Sequence, residues 1–199
     1  MHLIGITGLA GSGKDTAAGQ LRELLQADGQ AAAVAALAAP IKDMLLALGV
    51  PAPYLHDRTL KEQPVPGLGL SYRALAQTLG TEWGRALDPD LWIRVAELRA
   101  RHLVGEDGSI PALIYTDIRF PNEAAWIRRH GGRLMRIVRP SVAPVRSHAS
   151  EQHVHDLSVD VEVLNSGSVQ DLRVKLERQL QAWGLLSGPA PGQHEEAAA

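Results

Sequence analysis

With 199 residues, 45% of them hydrophobic, the chain has the length of one domain and can bury roughly 70% of its unfolded surface without staples. It contains no cysteine, which excludes disulfides and thiolate metal sites and suits a reducing cytoplasm. A net charge of −2 implies no bulk attraction to nucleic acid or membrane, and no apolar run reaches the ~18 residues of a membrane span.

Taken in chain order, His2 to Thr7 reads as a short buried strand, too short and without the basic start of a signal peptide. A helix follows from Gly13 to Gln26, with Ala17, Ala18, Leu21, Leu24 and Leu25 on one stripe, and Asp28-Gly29 ends it. Ala32 to Ala38 has the length and composition of a second strand, and Pro40 opens a helix over Ile41 to Leu48. Residues 49–70 carry four prolines and two pivotal glycines, Gly67 and Gly69, and read as an irregular excursion. Ser71 can cap a helix running to about Trp83, and Asp88-Pro89 opens another with Leu91, Trp92, Val95 and Leu98 inward.

Beyond the turn GEDGS, Ala112 to Thr116 is a buried strand ending at Asp117. Pro121 to His130 is a helix stopped by Gly131-Gly132, and Leu134 to Val138 is a fourth strand. A polar stretch over 140–158 precedes a fifth strand, Val159 to Leu164. Ser168, with Asp171 in the box position, caps a last helix whose face is Val169, Leu172, Leu176, Leu180 and Trp183. The tail from 187 to 199 has the composition of a disordered end. Five strands alternating with helices imply a parallel sheet covered on both faces, with ligands at the carboxyl ends of its strands.

That rule singles out GLAGSGKDT, Gly8 to Thr16, between the first strand and first helix. In this context Gly8, Gly11, Ser12 and Gly13 turn backbone N–H groups inward around phosphates, the helix start adds a positive dipole end, and Lys14 reaches the β- and γ-phosphates. The plain alternative is a glycine-rich turn. Asp15 stands where a hydroxyl normally meets magnesium. It either ligates Mg2+, directly or through water, or it is a first-turn acid favoured by the helix dipole, leaving Thr16 to hold a phosphate oxygen. Asp117 occupies the place of a second magnesium-organising carboxylate, or else caps the helix at Pro121. No glutamate follows it and no guanine-reading motif is present, which counts against a water-splitting ATPase and a GTPase.

Only 4 of the 20 basic residues are lysines, so a lysine in a motif weighs more here than an arginine. Arg119, two residues past Asp117, can hold an acceptor phosphate. Arg73 and Gln77 stand one helical turn apart and suit a phosphate plus a base edge, or form a solvated face. Trp83 is core or a base-stacking wall, next to Arg85. Arg139 and Arg146 flank a stretch that can act as a closing lid. HASEQHVH within it lacks the spacing of a two-histidine metal motif.

Together GSGKDT, RALAQTLGTEWGR with DLW, DIRFPNEA with GGRLMRIVRP, and HASE resemble the phage-type deoxynucleoside monophosphate kinases, small P-loop enzymes of the nucleoside monophosphate kinase group. The likeness runs from Met1 to about Trp183, with 49–70 and the tail outside it. It implies a three-layer α/β P-loop kinase fold over residues 1–186, with a five-stranded parallel sheet, a helical acceptor-binding region at about 40–88 and a lid at about 139–158. It also implies transfer of the γ-phosphoryl of ATP to a deoxynucleoside monophosphate. Carried over by position, Lys14, Asp15, Thr16 and Asp117 serve ATP and magnesium, and Asn165 lies near the adenine. Lys42, Arg73, Gln77, Arg85 and Arg119 lie at the acceptor, and Arg139 and Arg146 belong to the lid. A cytoplasmic enzyme, in a host if phage-encoded and possible as a homodimer, is the corresponding expectation. The competing readings are another small-molecule kinase, such as a dephospho-coenzyme A kinase, and a non-catalytic nucleotide-binding switch.

Overall fold

The structure, a computed structural model, describes residues 2–103, 112–141, 154 and 156–187. Five strands, β1 (Leu3–Thr7), β2 (Ala32–Ala35), β3 (Ala112–Tyr115), β4 (Arg133–Val138) and β5 (Val161–Leu164), form one sheet in the order β2-β3-β1-β4-β5. Every pairing is parallel; Leu3 lies opposite Leu113, and Gly5 opposite both Tyr115 and Leu134. The first strand of the chain is thus the central one.

Residues alternate between the faces of β1, and both faces are covered. Ile4 and Ile6 point to a core closed by α1 (Lys14–Ala27) and α7 (Val169–Ala182), where Leu21, Leu25, Leu176 and Leu180 are completely buried. Leu3 points to the opposite core, shared with Leu113, Tyr115 and Leu134. Three helices close that side: α2 (Ala39–Ala47), α5 (Leu91–Ala100) and α6 (Pro121–Arg129). Helix, sheet and helix make a three-layer α/β arrangement. In α7 the predicted capping box is present: Ser168 Oγ accepts from Asp171 N at 3.1 Å, and Asp171 Oδ2 accepts from Ser168 N at 2.8 Å.

Several boundaries move, each for a visible reason. The second strand stops at Ala35, not Ala38, because the N–H groups of Leu37 and Ala38 donate to the Asp117 carboxylate instead of a neighbouring strand. The helix expected from Ser71 to Trp83 is α4 (Tyr72–Gln77) followed by a π-helix, Thr78–Arg85. Within it Gly80 O accepts from Trp92 Nε1 at 2.7 Å, an indole bond that competes with the regular ladder. On α5 the buried positions are Trp92, Ile93 and Ala96. Leu98 is exposed, as is Val169 on α7, so these ends of the predicted stripes face outward.

The excursion over 49–70 is less irregular than its prolines suggest. It holds α3 (Ala52–His56) and a single 3-10 turn (Leu60–Glu62), and its Leu55 and Val65 are buried in the second core. Val65 N donates to Leu70 O at 2.8 Å, closing its far end.

Candidate active site

The loop between β1 and α1 turns sharply, with Gly8, Gly11 and Gly13 at φ 143°, 83° and 97°. Gly8 has a second constraint: a Cβ there would stand 2.5 Å from Ile137 O on β4. The loop is braced from the other side by Asn165, whose Nδ2 donates to Ser12 O at 2.8 Å. Lys14 Nζ curls over the loop and donates to Gly8 O and Leu9 O, each at 2.7 Å. This puts an ammonium at the mouth of a turn whose N–H groups precede a helix, the arrangement that favours a phosphate. Asp15 and Thr16 are exposed on the first turn of α1.

A cavity of about 420 Å³ opens beside this loop, at the carboxyl ends of β1 and β3. Its other walls are the β2–α2 connection, α2, the excursion, α4 with the π-helix, and the β3–α6 connection. It gathers Gly11, Lys14, Asp15, Lys42, Arg73, Gln77, Arg85, Asp117 and Arg119, nine of the residues singled out in the sequence. Seven lysine or arginine side chains line it (Lys14, Lys42, Arg58, Lys61, Arg73, Arg85, Arg119) against three carboxylates (Asp15, Asp117, Glu123). Such an excess in one concavity suits a polyanion with more than one phosphate group.

The side chains are not equally committed. Arg73 pairs with Glu62 through Nε. Arg85 lies over the Phe120 ring, 3.7 Å from its centroid, and donates to Asn122 Oδ1 at 3.0 Å. Asp117 spends one lone pair of each oxygen on the Leu37 and Ala38 N–H groups, both at 2.8 Å. The alternative cap role at Pro121 belongs to Glu123, whose Oε2 accepts from Arg119 N at 2.8 Å and Phe120 N at 3.0 Å. Burial pushes the Glu123 carboxyl up to about 7, with these two N–H groups and Arg85 pulling the other way. Burial also lowers the Lys61 pKa, reinforced by the nearby Lys42 and Arg73 charges and opposed by Asp15 and Asp57.

Asp15 and Asp117 reach the same cavity, and each carboxylate keeps acceptor capacity. Two carboxylates fit a magnesium ion that takes its remaining ligands from water and phosphate. Among the described residues no group of three or more His, Asp or Glu side chains could hold a metal ion by itself.

Other expected residues stand elsewhere. Trp83 is outside the cavity and exposed, tilted against Trp92 with ring centroids 6.4 Å apart. Trp92 is the tryptophan that lines the cavity, beside Tyr72 and Phe120. Thr16 and Asn165 flank the phosphate loop without lining the cavity, and Arg139 is exposed at the end of β4. Arg146, most of the 139–158 stretch and the tail after 187 lie outside the described residues. Sequence reasoning missed Arg58, Lys61, Trp92 and Glu123. A signal existed for Lys61, because three of the four lysines in the chain meet in this one cavity.

A family model described as deoxynucleotide monophosphate kinase matches residues 55–176. It therefore takes in the later part of the excursion, which the sequence resemblance left out. A protein of Acanthamoeba polyphaga mimivirus, provisionally named a deoxynucleotide monophosphate kinase, is 27% identical over 183 residues, covering 86% of this chain and 92% of its own. Among solved structures, shikimate kinase from Aquifex aeolicus superposes with a TM-score of 0.52 at 13% identity, covering 92% of this chain and 98% of that one. That likeness concerns the fold alone. An APS kinase of Mycobacterium tuberculosis gives a TM-score of 0.46 at 17% identity over 90% of this chain and 96% of its own.

Proposed function

The chain belongs to the deoxynucleotide monophosphate kinase family, and on that premise we propose that it transfers the γ-phosphoryl group of ATP to a deoxynucleoside monophosphate, giving the diphosphate and ADP. One observation carries the reading: a phosphate-type loop with its lysine forms one wall of a cavity whose other walls supply six further cations.

In this reading the loop from Gly8 to Thr16 holds the ATP phosphates, and Lys14 leaves its carbonyl contacts to meet the β- and γ-phosphates. Asn165, which braces the loop, lies on the adenine side. Lys42, Arg73, Gln77, Arg85 and Arg119 receive the acceptor, its phosphate against the cations and its base towards the wall that includes Trp92. Asp15 and Asp117 would hold magnesium, which neutralises phosphate charge and fixes phosphate geometry when bound. An acceptor phosphate oxygen attacks the γ-phosphorus; the new P–O bond forms as the bond from that phosphorus to the β–γ bridging oxygen breaks, and ADP leaves. The attacking oxygen is already anionic, so no general base is needed. Alignment and cationic stabilisation of the spreading charge do the work. Arg139 and Arg146 would approach from the lid side and help to exclude water, whose attack would waste ATP.

A coupled ADP-release assay across all deoxy- and ribonucleoside monophosphates, with dephospho-coenzyme A included, tests the proposal. Turnover with one or more deoxynucleoside monophosphates is expected. Phosphorylation of dephospho-coenzyme A alone, or slow ATP hydrolysis with no phosphorylated acceptor, would overturn it.

A further inference from the structure

The excursion before α4 presents two cations that neither the sequence motifs nor the family resemblance assigned. Its anchors are Leu55 and Val65, both buried, so the residues between them form a strap tied down at each end. At the start of the strap Asp57 Oδ1 accepts from Thr59 N and Leu60 N, each at 2.8 Å, which fixes the backbone around Arg58. One turn later Lys61 lies 5.9 Å from the centroid of the Tyr72 ring, and the Asp15 carboxylate on the phosphate-loop side favours its charged form. Glu62 ties the strap to Arg73 on α4.

Arg58 reaches furthest. Its Nη1, Nη2 and Cζ lie 2.8, 2.9 and 3.0 Å from the point where a Cβ on Gly11 would stand. The guanidinium therefore rests on the bare backbone of the phosphate loop, in a space that only glycine leaves open. Among the described residues Arg58 is exposed and no hydrogen bond or ion pair is found for it, whereas Arg73 and Arg85 are both paired. A planar fork of five donors, laid on a loop built to grip phosphate and with no protein acceptor there, is matched chemically by phosphate oxygens.

We propose that Arg58 is a phosphate-contacting residue that the acceptor-side strap lends to the donor site, where its guanidinium binds the terminal phosphate of the nucleoside triphosphate on the phosphate loop. The assignment rests on the kinase reading for its place in the reaction, yet makes a separate claim about nucleotide binding. A cation on the terminal phosphate distinguishes ATP from ADP, and there it also balances charge on the group in transfer.

Calorimetric binding of Mg-AMP-PNP and Mg-ADP to the wild-type chain, Arg58→Ala and Arg58→Lys tests the proposal without an acceptor. Loss of one charge-assisted contact predicts that Arg58→Ala binds Mg-AMP-PNP about tenfold or more weakly. Mg-ADP affinity should stay within about twofold, with Arg58→Lys intermediate for the triphosphate. Because Arg58 is exposed, all three chains should share one thermal midpoint. Equal losses for both nucleotides, or no loss for either, would overturn the proposal. A wild-type chain that phosphorylates no deoxynucleoside monophosphate yet shows the selective loss in Arg58→Ala would refute the kinase reading and leave this one standing.

Discussion

Replacing Glu123 by glutamine should change how stability depends on pH. The carboxyl is buried at the first turn of α6, where it gathers Arg119 N and Phe120 N on one oxygen and faces Arg85 Nη1 at 3.5 Å with the other. Burial raises its pKa from 4.5 to about 7 in the folded chain. The protonated form is thus the one the fold prefers, and the unfolded chain releases the proton first. Its contribution is fully present below pH 4.5 and is lost as pH rises through about 7. A rise of that size corresponds to about 3 kcal/mol at the upper end of the window. Asp28 and Asp171, whose pKa values hydrogen bonds lower from 3.8, and Tyr115, which burial sends up to about 12, lie outside it. Urea unfolding of the wild-type chain and Glu123→Gln at intervals from pH 5 to 8 reads the effect directly. The wild-type chain should lose up to about 3 kcal/mol relative to the variant across that range. Two curves that run parallel would refute a carboxyl kept neutral by its surroundings.

Three further expectations concern the same region. Lys14→Ala should cut kcat by at least about 10²-fold while leaving far-ultraviolet circular dichroism unchanged; near-normal turnover would remove the phosphate loop from the mechanism. Asp117→Asn should cost about 1–3 kcal/mol in chemical denaturation, since one of the Leu37 and Ala38 N–H groups would face an amide NH2. Wild-type stability would show that the carboxylate does not hold the β2–α2 connection. Gly84→Ala should destabilise by about 1–3 kcal/mol despite better helix propensity, because its Cβ would overlap the Trp92 indole, with Nε1 only 2.9 Å away. A higher thermal midpoint for that variant would contradict the close packing of π-helix and indole.

Much of the sheet was legible because strands buried on both faces are plain apolar runs, and Gly8 to Thr16 announces the turn that follows the first of them. What escaped the sequence depends on contacts between distant segments. The early end of β2 is set by Asp117, some eighty residues away, and the π-helix accommodates an indole supplied by α5. Both tryptophans were visible in the sequence, but only their packing shows Trp92 inward at the cavity and Trp83 outward. Prolines marked 49–70 as a departure from regular structure. They could not reveal that Leu55 and Val65 pin it to the core and so bring Arg58 back to Gly11. The stripe of α1 was read correctly and that of α7 failed at Val169, whereas on α5 the buried face is Trp92, Ile93 and Ala96, with Leu98 outside.

The order of the strands also bears on how the molecule is born. β1 precedes both of the strands that flank it in the finished sheet, and Leu3 finds Leu113 more than a hundred residues later. During synthesis the ribbon from Leu3 to Ile6 therefore lacks its neighbours until β3 and β4 have been made. Truncations ending before residue 133 should consequently be captured by chaperones or aggregate, since β1 would still lack its β4 neighbour.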